Sequence, residues 1–472
     1  MTKLTPEQQT IVDHVLKNPG LTLINSVAGS GKTTLLCSIA LALQPKSGLY
    51  LAYNKSVAVE ASHKFPQEVH CSTTHSLAWK AVVAPNRLKV GDFTYRNIIS
   101  SESYDVKSTT VLLIKEFCLS GYTDFEKFIE DNDFDKKYYT LGAKYLDAMQ
   151  TGAIECTHEF YLKLYHILLA CGKIKYDEFD FIALDEAGDL NEVTLEIFKL
   201  LPAKRKLMVG DPHQNIYAFN HTVNCFSLMK DEGTTFPMSQ SFRVADNIAS
   251  SIETFCQTYL AEDMSFKGIP IREPNIKTRA FISRTNASLI GKMIELNELG
   301  ISYGLTRTPY AIFELPLIIC GLKYKGFVAN PSFRHLQEAT NAYYENHDLQ
   351  QSYKSHLGYL KALYKDDIAV SVALNLILRY GKPSIIACHE ESRKHKKATQ
   401  SYILGTCHST KGLEFDEVTL ADDLNDSIAP IIASIESGRK AITISSEERT
   451  ELNLYYVACS RAKQILNNAK HL

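Results

Sequence analysis

The amino-acid sequence predicts an α/β protein made of two parallel-sheet units, each interrupted by a mainly helical insertion. Three observations lead there. A short apolar run at residues 21–24 enters the segment NSVAGSGKTT (residues 25–34), and Leu35, Leu36, Ile39, Ala40 and Leu43 follow at helical spacing, which is the order strand, glycine-bearing loop, helix. Apolar strands that end in polar loops recur through the first 240 residues and again beyond them. Residues 81–175 and 306–398 lose that alternation and read as helical. The expected division is 1–80 with 176–238 for the first sheet unit and 81–175 for its insertion, then 239–305 with 399–472 for the second unit and 306–398 for a reduced insertion.

A chain of 472 residues has material for more than one core. Its 45% hydrophobic and 22% charged residues are those of an ordinary soluble globular protein. With 51 basic and 53 acidic side chains the net charge is −2, so any nucleic-acid site must be a local patch rather than a whole-surface field. The 11 cysteines form no CxxC pair, which argues against zinc ribbons and iron–sulfur clusters and for a reducing compartment. The N-terminal segment MTKLTPEQQ has no signal-peptide core, and no uncharged apolar run approaches membrane-spanning length, so no membrane association is expected.

In the segment at 25–34, free backbone N–H groups and the positive end of a helix dipole converge, which suits a phosphate chain. The backbone of Ala28, Gly29, Ser30, Gly31 and Thr34 would wrap it. Lys32 would reach the terminal phosphates and the Thr33 hydroxyl would ligate Mg²⁺. Ser26 stands where the strict GxxxxGK[ST] pattern has its first glycine; a chance GKT in a turn is the other reading, and the flanking strand and helix weigh against it. Ahead of the loop, Thr5 and Pro6 open a helix with Ile11, Val12, Val15 and Leu16 as its apolar stripe. Gln8 and Gln9 on its first turns carry the donor and acceptor pair that reads an adenine edge, or else belong to a solvated face.

Strands at 49–53 and 69–71 end in Asn54-Lys55 and in Thr74-His75. In an open α/β sheet, ligands collect at the carboxyl ends of strands, and hydroxyls, Lys55 and His75 there suit phosphodiester oxygens. The α/β pattern returns at 179–184 and ends in DEAGD (185–189). Asp185 reads as an Mg²⁺ ligand and Glu186 as the base for an attacking water. A strand at 206–209 ends in GDPHQNIYAF (210–219), where Gln214 is placed to sense a terminal phosphate. Tyr217 and Phe219 either stack on bases or belong to the core.

The segment SQSFR (239–243) opens the second unit, a strand and turn follow at 280–286, and the basic run 393–397 either grips phosphates or forms a solvated hinge. Beyond it come GTCHSTKGLEFD (405–416), a strand at 417–420, and a helix with a capping box at Ser445 and Glu448 that carries the chain to SRAK (460–463). Arg461, near the end of that helix, can reach across a cleft to a phosphate.

Together these segments resemble the UvrD, Rep and PcrA type of superfamily 1 DNA helicase, in the order and spacing of that family from residue 8 to residue 463. YLAYNKSVAVEA (50–61), TTHSLAW (73–79) and SRTN (283–286) look nearer to the helicase portion of the eukaryotic F-box DNA helicase. The resemblance implies two RecA-like P-loop domains, with ATP and Mg²⁺ bound at the first. It implies that Gln8 reads adenine and Phe242 stacks on it, that Lys32 and Thr33 hold phosphate and metal, that Asp185 holds Mg²⁺ and Glu186 orients or deprotonates water. Gln214 would couple the γ-phosphate to DNA and Glu414 would contact the ribose. Arg243 and Arg461 resemble a pair of arginine fingers, groups that act on charge developing at the transferring phosphoryl. Tyr53, Asn54, Lys55, Thr74, His75, Tyr217, Phe219, Thr406 and His408 would line a single-strand track.

The chain departs from that pattern at several places. Gly188 stands where the family has Gln in DExQD, Ala52 replaces a base-stacking phenylalanine with Tyr53 one position on, and Ser460 replaces a threonine. Both insertions are short and little follows Lys463, so a small duplex-gripping surface is expected. The implied function is an ATP-dependent DNA helicase or translocase with 3′ to 5′ polarity, in repair, replication or recombination. The rivals are a translocase that strips proteins from single strands and a motor or scaffold subunit of a nuclease or defence complex. Expected partners are single-stranded and tailed or forked duplex DNA, with replication or recombination proteins. A monomer is expected, in the cytoplasm (a host's if phage-encoded) or in a eukaryotic nucleus.

Overall fold

The computed structural model describes residues 3–216, 224–321, 336–341, 353–364, 367–394 and 401–472. Tyr217 and Phe219 lie outside them, as does most of the basic run 393–397. The chain divides into two compact units, Met1–Phe242 and Arg243–Leu472. Among the described residues no helix is long and apolar enough to cross a membrane.

The first unit is organised by six parallel strands: β1 (Gly20–Ser26), β2 (Gly48–Leu51), β3 (Val69–Ser72), β4 (Phe181–Leu184), β5 (Arg205–Gly210) and β6 (Thr234–Met238), in the order β3-β2-β4-β5-β1-β6. Parallel strands need both faces covered, and alternate residues divide accordingly. Ile24, Tyr50, Ala183 and Val209 pack with Ile11 and Val15 of the helix Pro6–Lys17 and with Leu35 and Ile39 of the helix Lys32–Leu43. Leu23, Leu49, Ile182 and Met208 face a second core that continues into the helical insertion through Phe117, Tyr145, Phe160 and Tyr165. That insertion contains the helices Tyr104–Leu119, Phe125–Asp131, Lys136–Gln150 and His158–Ala170 between β3 and β4. The expected boundary at 80/81 falls inside one continuous helical stretch: the helix Thr74–Ala78 runs through a π-helical turn, Trp79–Val83, into Ala84–Asn86.

Buried Lys163 fastens the insertion. Its Nζ donates to the carbonyl oxygens of Ser120 at 2.7 Å and Tyr122 at 2.6 Å, and burial lowers its pKa to about 8. Beside it the backbone N–H of Gly121 donates to Glu192 at 2.8 Å, on the helix Glu192–Leu200 that follows the DEAGD loop.

In the second unit β9 (Arg279–Ser283), β10 (Gly304–Leu305), β11 (Tyr402–Thr406), β12 (Phe415–Leu420) and β13 (Ala462–Asn467) form a parallel sheet in the order β10-β11-β9-β12-β13, and β7 (Gln240–Ala245) pairs with β8 (Lys267–Ile269). Its main helices are Asn286–Glu298, Pro309–Ile319, Ile368–Ser392, Asp422–Glu436 and Ser446–Cys459. The third is bent at Gly381, whose φ of +77° no helix accommodates, and which stands two residues before Pro383.

Two expectations need correction. The chain does not continue as helix through residues 460–463: the helix stops at Cys459, and residues 462–467 pair with β12, 47–48 residues earlier. A strand at 234–238 was not expected at all, and its partner β1 is more than 200 residues away in sequence. In both cases the local pattern is too short to specify a strand, and the distant partner decides it.

Candidate nucleotide and nucleic-acid site

The carboxyl ends of β1, β4 and β5 bring together the loop at 25–34, the paired carboxylates and Gln214. Gly29 and Gly31 adopt positive φ, 75° and 81°, the conformation that only glycine takes without strain and that turns the loop back toward the helix Lys32–Leu43. Ser26, in the place of the pattern's first glycine, donates from its hydroxyl to the carbonyl oxygen of Gly210 at 2.9 Å, tying the end of β1 to the end of β5.

Lys32 contacts both carboxylate oxygens of Glu186, at 3.0 and 3.1 Å. Burial alone would lower the Lys32 pKa, but Glu186, Asp185 and Asp211 outweigh it and hold it above its ordinary value. Asp185 is buried; its Oδ2 accepts from the Tyr50 hydroxyl at 2.5 Å and its Oδ1 from the backbone N–H of Glu186 at 2.9 Å. Burial and then the neighbouring Glu186 charge push its pKa up, against Lys32 and those hydrogen bonds. Glu186 has φ of 52°, a left-handed conformation that a non-glycine residue holds only where the surroundings impose it. Asp211 accepts from the His213 backbone N–H at 3.0 Å and from Gln214 Nε2 at 2.8 Å. Glu186, Asp185 and Asp211 thus surround Lys32 with negative charge, and Gln214 is hydrogen-bonded to Asp211.

Gln8 is buried and Gln9 exposed, so the solvated-face reading fails for the first and holds for the second. Gln8 Oε1 accepts from the Thr5 backbone N–H at 3.0 Å and its Nε2 donates to the Ser30 carbonyl at 3.1 Å, leaving one lone pair and one N–H for a ligand. A Cβ on Gly31 would lie 3.3 Å from Gln8 Nε2 and 3.6 Å from the Phe242 ring, so these three residues converge. The segment leading to Phe242 is laced to the loop: Ser241 Oγ donates to Ala28 O at 2.8 Å and Phe242 N to Gly29 O at 2.9 Å, while Ser239 donates from its N–H and hydroxyl to Glu7. Phe242 itself is about half exposed.

Residues that fit a nucleotide are therefore gathered in one unit. The Ser30 hydroxyl is buried with no hydrogen-bond partner, which suits a phosphate oxygen as acceptor. Thr33 follows Lys32 in the first turn of the helix, and Thr34 beside it is exposed. Among the described residues no group of three or more His, Cys, Asp or Glu side chains is placed to hold a metal ion.

At the ends of β2 and β3, Tyr53 is exposed, Thr74 is buried and His75 keeps an exposed face. Asn54 caps the helix Lys55–Ser62 by accepting from Val57 N at 2.9 Å, a structural duty beyond the expected one, and Lys55 is exposed. Burial beneath the insertion, then the charge of His158, lower the His75 pKa. Tyr53, Thr74, His75 and Asp185 line a cavity of about 410 Å³ with Lys115 and Glu159 of the insertion.

In the second unit Arg243 Nε lies 2.6 Å from Glu414, pairing two residues that were singled out for different tasks. Arg461 is buried: Nε donates to Val457 O at 2.9 Å, Nη2 to Ser460 Oγ at 2.9 Å and Nη1 to Leu413 O at 3.3 Å. It occupies the turn between the last helix and β13 rather than the helix itself. Thr406 is buried with its hydroxyl 3.1 Å from Ser409 Oγ, and His408 is half-buried. The SRTN turn after β9 is held by a two-pronged Arg284–Glu451 pair at 2.7 and 2.9 Å and by Asp423, which accepts from the backbone of Arg284 and Thr285.

Tyr50, Asp211, Glu7, Ser239 and Ser241 escaped the sequence reading. Tyr50 reads as one more apolar strand residue, and only its place opposite β4, in register with Ala183, brings its hydroxyl to Asp185. Asp211 follows a strand directly, as Asp185 does, and that shared position was a usable signal.

Comparison with known proteins agrees with this geometry. Residues 8–220 match the family described as AAA domain, and residues 335–470 match the UvrD-like helicase C-terminal domain. Over 514 residues the chain is 26% identical to F-box DNA helicase 1 of Gallus gallus, covering 98% of this chain and 49% of the relative. Over 528 residues it is 25% identical to F-box DNA helicase protein 1 of Schizosaccharomyces pombe, covering 98% of this chain and 57% of the relative. The chain thus spans about half the length of these curated relatives. The phosphate loop and its paired carboxylates lie within the stretch that matches the AAA domain, the last part of the second unit matches the UvrD-like helicase C-terminal domain, and the chain is homologous over nearly its whole length to the F-box DNA helicases.

Proposed function

We propose that the protein hydrolyses ATP and uses the energy to move 3′ to 5′ along single-stranded DNA, separating tailed or forked duplexes in repair, replication or recombination. The observation that carries this reading is the surround of Lys32: one cation held by Glu186, Asp185 and Asp211, beside a loop whose Ser30 hydroxyl lacks a partner. A cation at the phosphates, a carboxylate for water and a polar link to Gln214 are the parts that phosphoryl transfer to water requires. Gln8 and Phe242 would receive the adenine, and Thr33 and Asp185 would hold Mg²⁺, which when bound neutralises charge on the phosphates.

Within this reading 1–80 with 176–238 form the ATP-binding domain and 239–305 with 399–472 the domain that supplies Arg243 and Arg461 as arginine fingers, with Glu414 at the ribose. The strand would pass over Tyr53, Asn54, Lys55, Thr74 and His75 of the first domain and Thr406 and His408 of the second. The name DNA helicase borne by the relatives supports the choice of DNA.

One assay series tests the proposal: ATP hydrolysis with and without single-stranded DNA, then unwinding of 3′-tailed against 5′-tailed duplexes. Hydrolysis stimulated by single strands together with unwinding of 3′-tailed substrates is expected. Stimulated hydrolysis without strand separation marks a protein-stripping translocase, and hydrolysis indifferent to DNA overturns the motor reading.

A further inference from the structure

Trp79, the single tryptophan of the chain, is about two-fifths exposed. It opens the π-helical turn Trp79–Val83, directly after the helix Thr74–Ala78 that carries His75. A π-turn interrupting an α-helix is uncommon and recurs at functional positions. Here it follows the TTHS segment at the carboxyl end of β3, and residues four apart, His75 and Trp79, both reach Tyr161 of the insertion helix His158–Ala170. The centroid distances are 5.9 Å for each pair, with interplanar angles of 88° and 87°.

An edge-to-face contact fixes a ring without covering it. Whichever of the two rings presents its edge, at least one indole face is left uncovered by Tyr161. Tyr161 is itself buried, and its hydroxyl lies 3.0 Å from His158 Nδ1, so the support beneath the indole is anchored. His75 belongs at once to this aromatic group and to the wall of the 410 Å³ cavity, whose other walls include Tyr53, Thr74 and Lys115. An exposed, braced indole therefore lies one ring away from a cavity lined with a cation, hydroxyls and a second exposed aromatic residue. Backbone phosphates find charge and hydroxyls there, and a base finds a flat apolar surface.

We propose that Trp79 stacks on a base of bound single-stranded DNA, with Tyr161 as its brace and His75 as the link to the cavity. The proposal rests on the nucleic-acid reading given above and adds a contact to it. Stacking tolerates any base, because each base offers a π-face, whereas the bases of an intact duplex are already stacked on one another and offer none.

The test uses the full chain and its native fluorescence. Labelled oligo(dT) gives occupancy by anisotropy while the emission of Trp79 is followed. Quenching that tracks occupancy by oligo(dT), and is absent with a blunt duplex, is the expected result. Trp79→Ala should weaken oligo(dT) binding roughly 10- to 100-fold, the range expected for loss of one base–aromatic stack, and Trp79→Phe should restore most of it. If the native chain binds oligo(dT) while Trp79 emission stays constant, the stacking proposal is wrong and the nucleic-acid reading survives. If the native chain does not bind oligo(dT) with or without ATP, the reading fails and the proposal with it. The emission measurement needs no variant, so it decides even if Trp79→Ala folds poorly.

Discussion

Gly188 lies against the carbonyl oxygen of Asp211, so closely that a Cβ on residue 188 would stand 2.5 Å from that oxygen. Gly210, one residue earlier on β5, approaches the same turn from the other side: a Cβ there would lie 2.8 Å from Ala187 N and 3.0 Å from Gly188 N. Two glycines thus let the loops after β4 and β5 meet backbone to backbone, and these loops carry Asp185 with Glu186 and Asp211 with Gln214. The family's glutamine at position 188 would have no room in this arrangement.

Gly188→Ala is accordingly expected to push the two loops apart. Overpacking of this kind costs about 1–3 kcal/mol, visible as a lowered melting temperature, and hydrolysis should fall with it. Gly188→Gln should be worse, although it restores the residue the family uses. An active, fully stable Gly188→Gln would show that the loops do not need this approach.

Lys32→Ala should lower ATP turnover by roughly 10²-fold or more, the scale seen when a group that stabilises transition-state charge is removed. Oligo(dT) binding should persist, because Lys32 is committed to Glu186, Asp185 and Asp211 and not to the proposed strand path. Retained turnover in that variant would refute the assignment of the loop.

The Tyr50 hydroxyl donates to a buried carboxylate that would ligate Mg²⁺. Groups that orient a metal ligand typically matter by about 10- to 100-fold in metal affinity or activity. Tyr50→Phe should therefore raise the Mg²⁺ concentration needed for half-maximal hydrolysis by that factor while leaving the fold intact, measured by Mg²⁺ titration of the ATPase. An unchanged titration would limit Tyr50 to packing.

Asp416, at the start of β12, accepts from the backbone N–H groups of Lys277 and Thr278, each at 2.9 Å, and from Lys463 Nζ at 2.9 Å. Burial opposes its charge, but Lys463 and these N–H groups outweigh burial and hold its pKa well below the ordinary carboxylate range. A depressed folded-state pKa contributes stability that is complete above the unfolded value of about 3.9 and is lost as pH falls through the folded value. Asp416→Asn should thus cost about 1–3 kcal/mol near neutral pH. The gap between the two proteins, followed by denaturant melts from pH 7 downward, should close only below about pH 4. A gap independent of pH across that range would contradict the charged hydrogen-bond cluster.

The strand, loop and helix around Lys32 were legible because each segment is local: an apolar run, glycines and a helical stripe lie within about two dozen consecutive residues. The paired carboxylates were legible for the same reason. What escaped depends on pairing across the sequence. Tyr50 reaches Asp185 only through the β2–β4 register, β6 and β13 exist through partners far away, and the duty of Ser26 appears only when Gly210 is beside it. The inward turn of Arg461 was hidden because a side chain's direction is set by the packing of β13 and the last helix, not by residue type.

The pairing of Arg243 with Glu414 at 2.6 Å has its own consequence for an arginine proposed to meet a phosphate. Such a guanidinium does not wait in water for any passing anion; it must change partners, and a newcomer succeeds only by outbidding a carboxylate already in place. Dilute sulfate or orthophosphate would be weak competitors, whereas a triphosphate that also occupied Glu414 through its sugar would loosen the old bond while offering the new one.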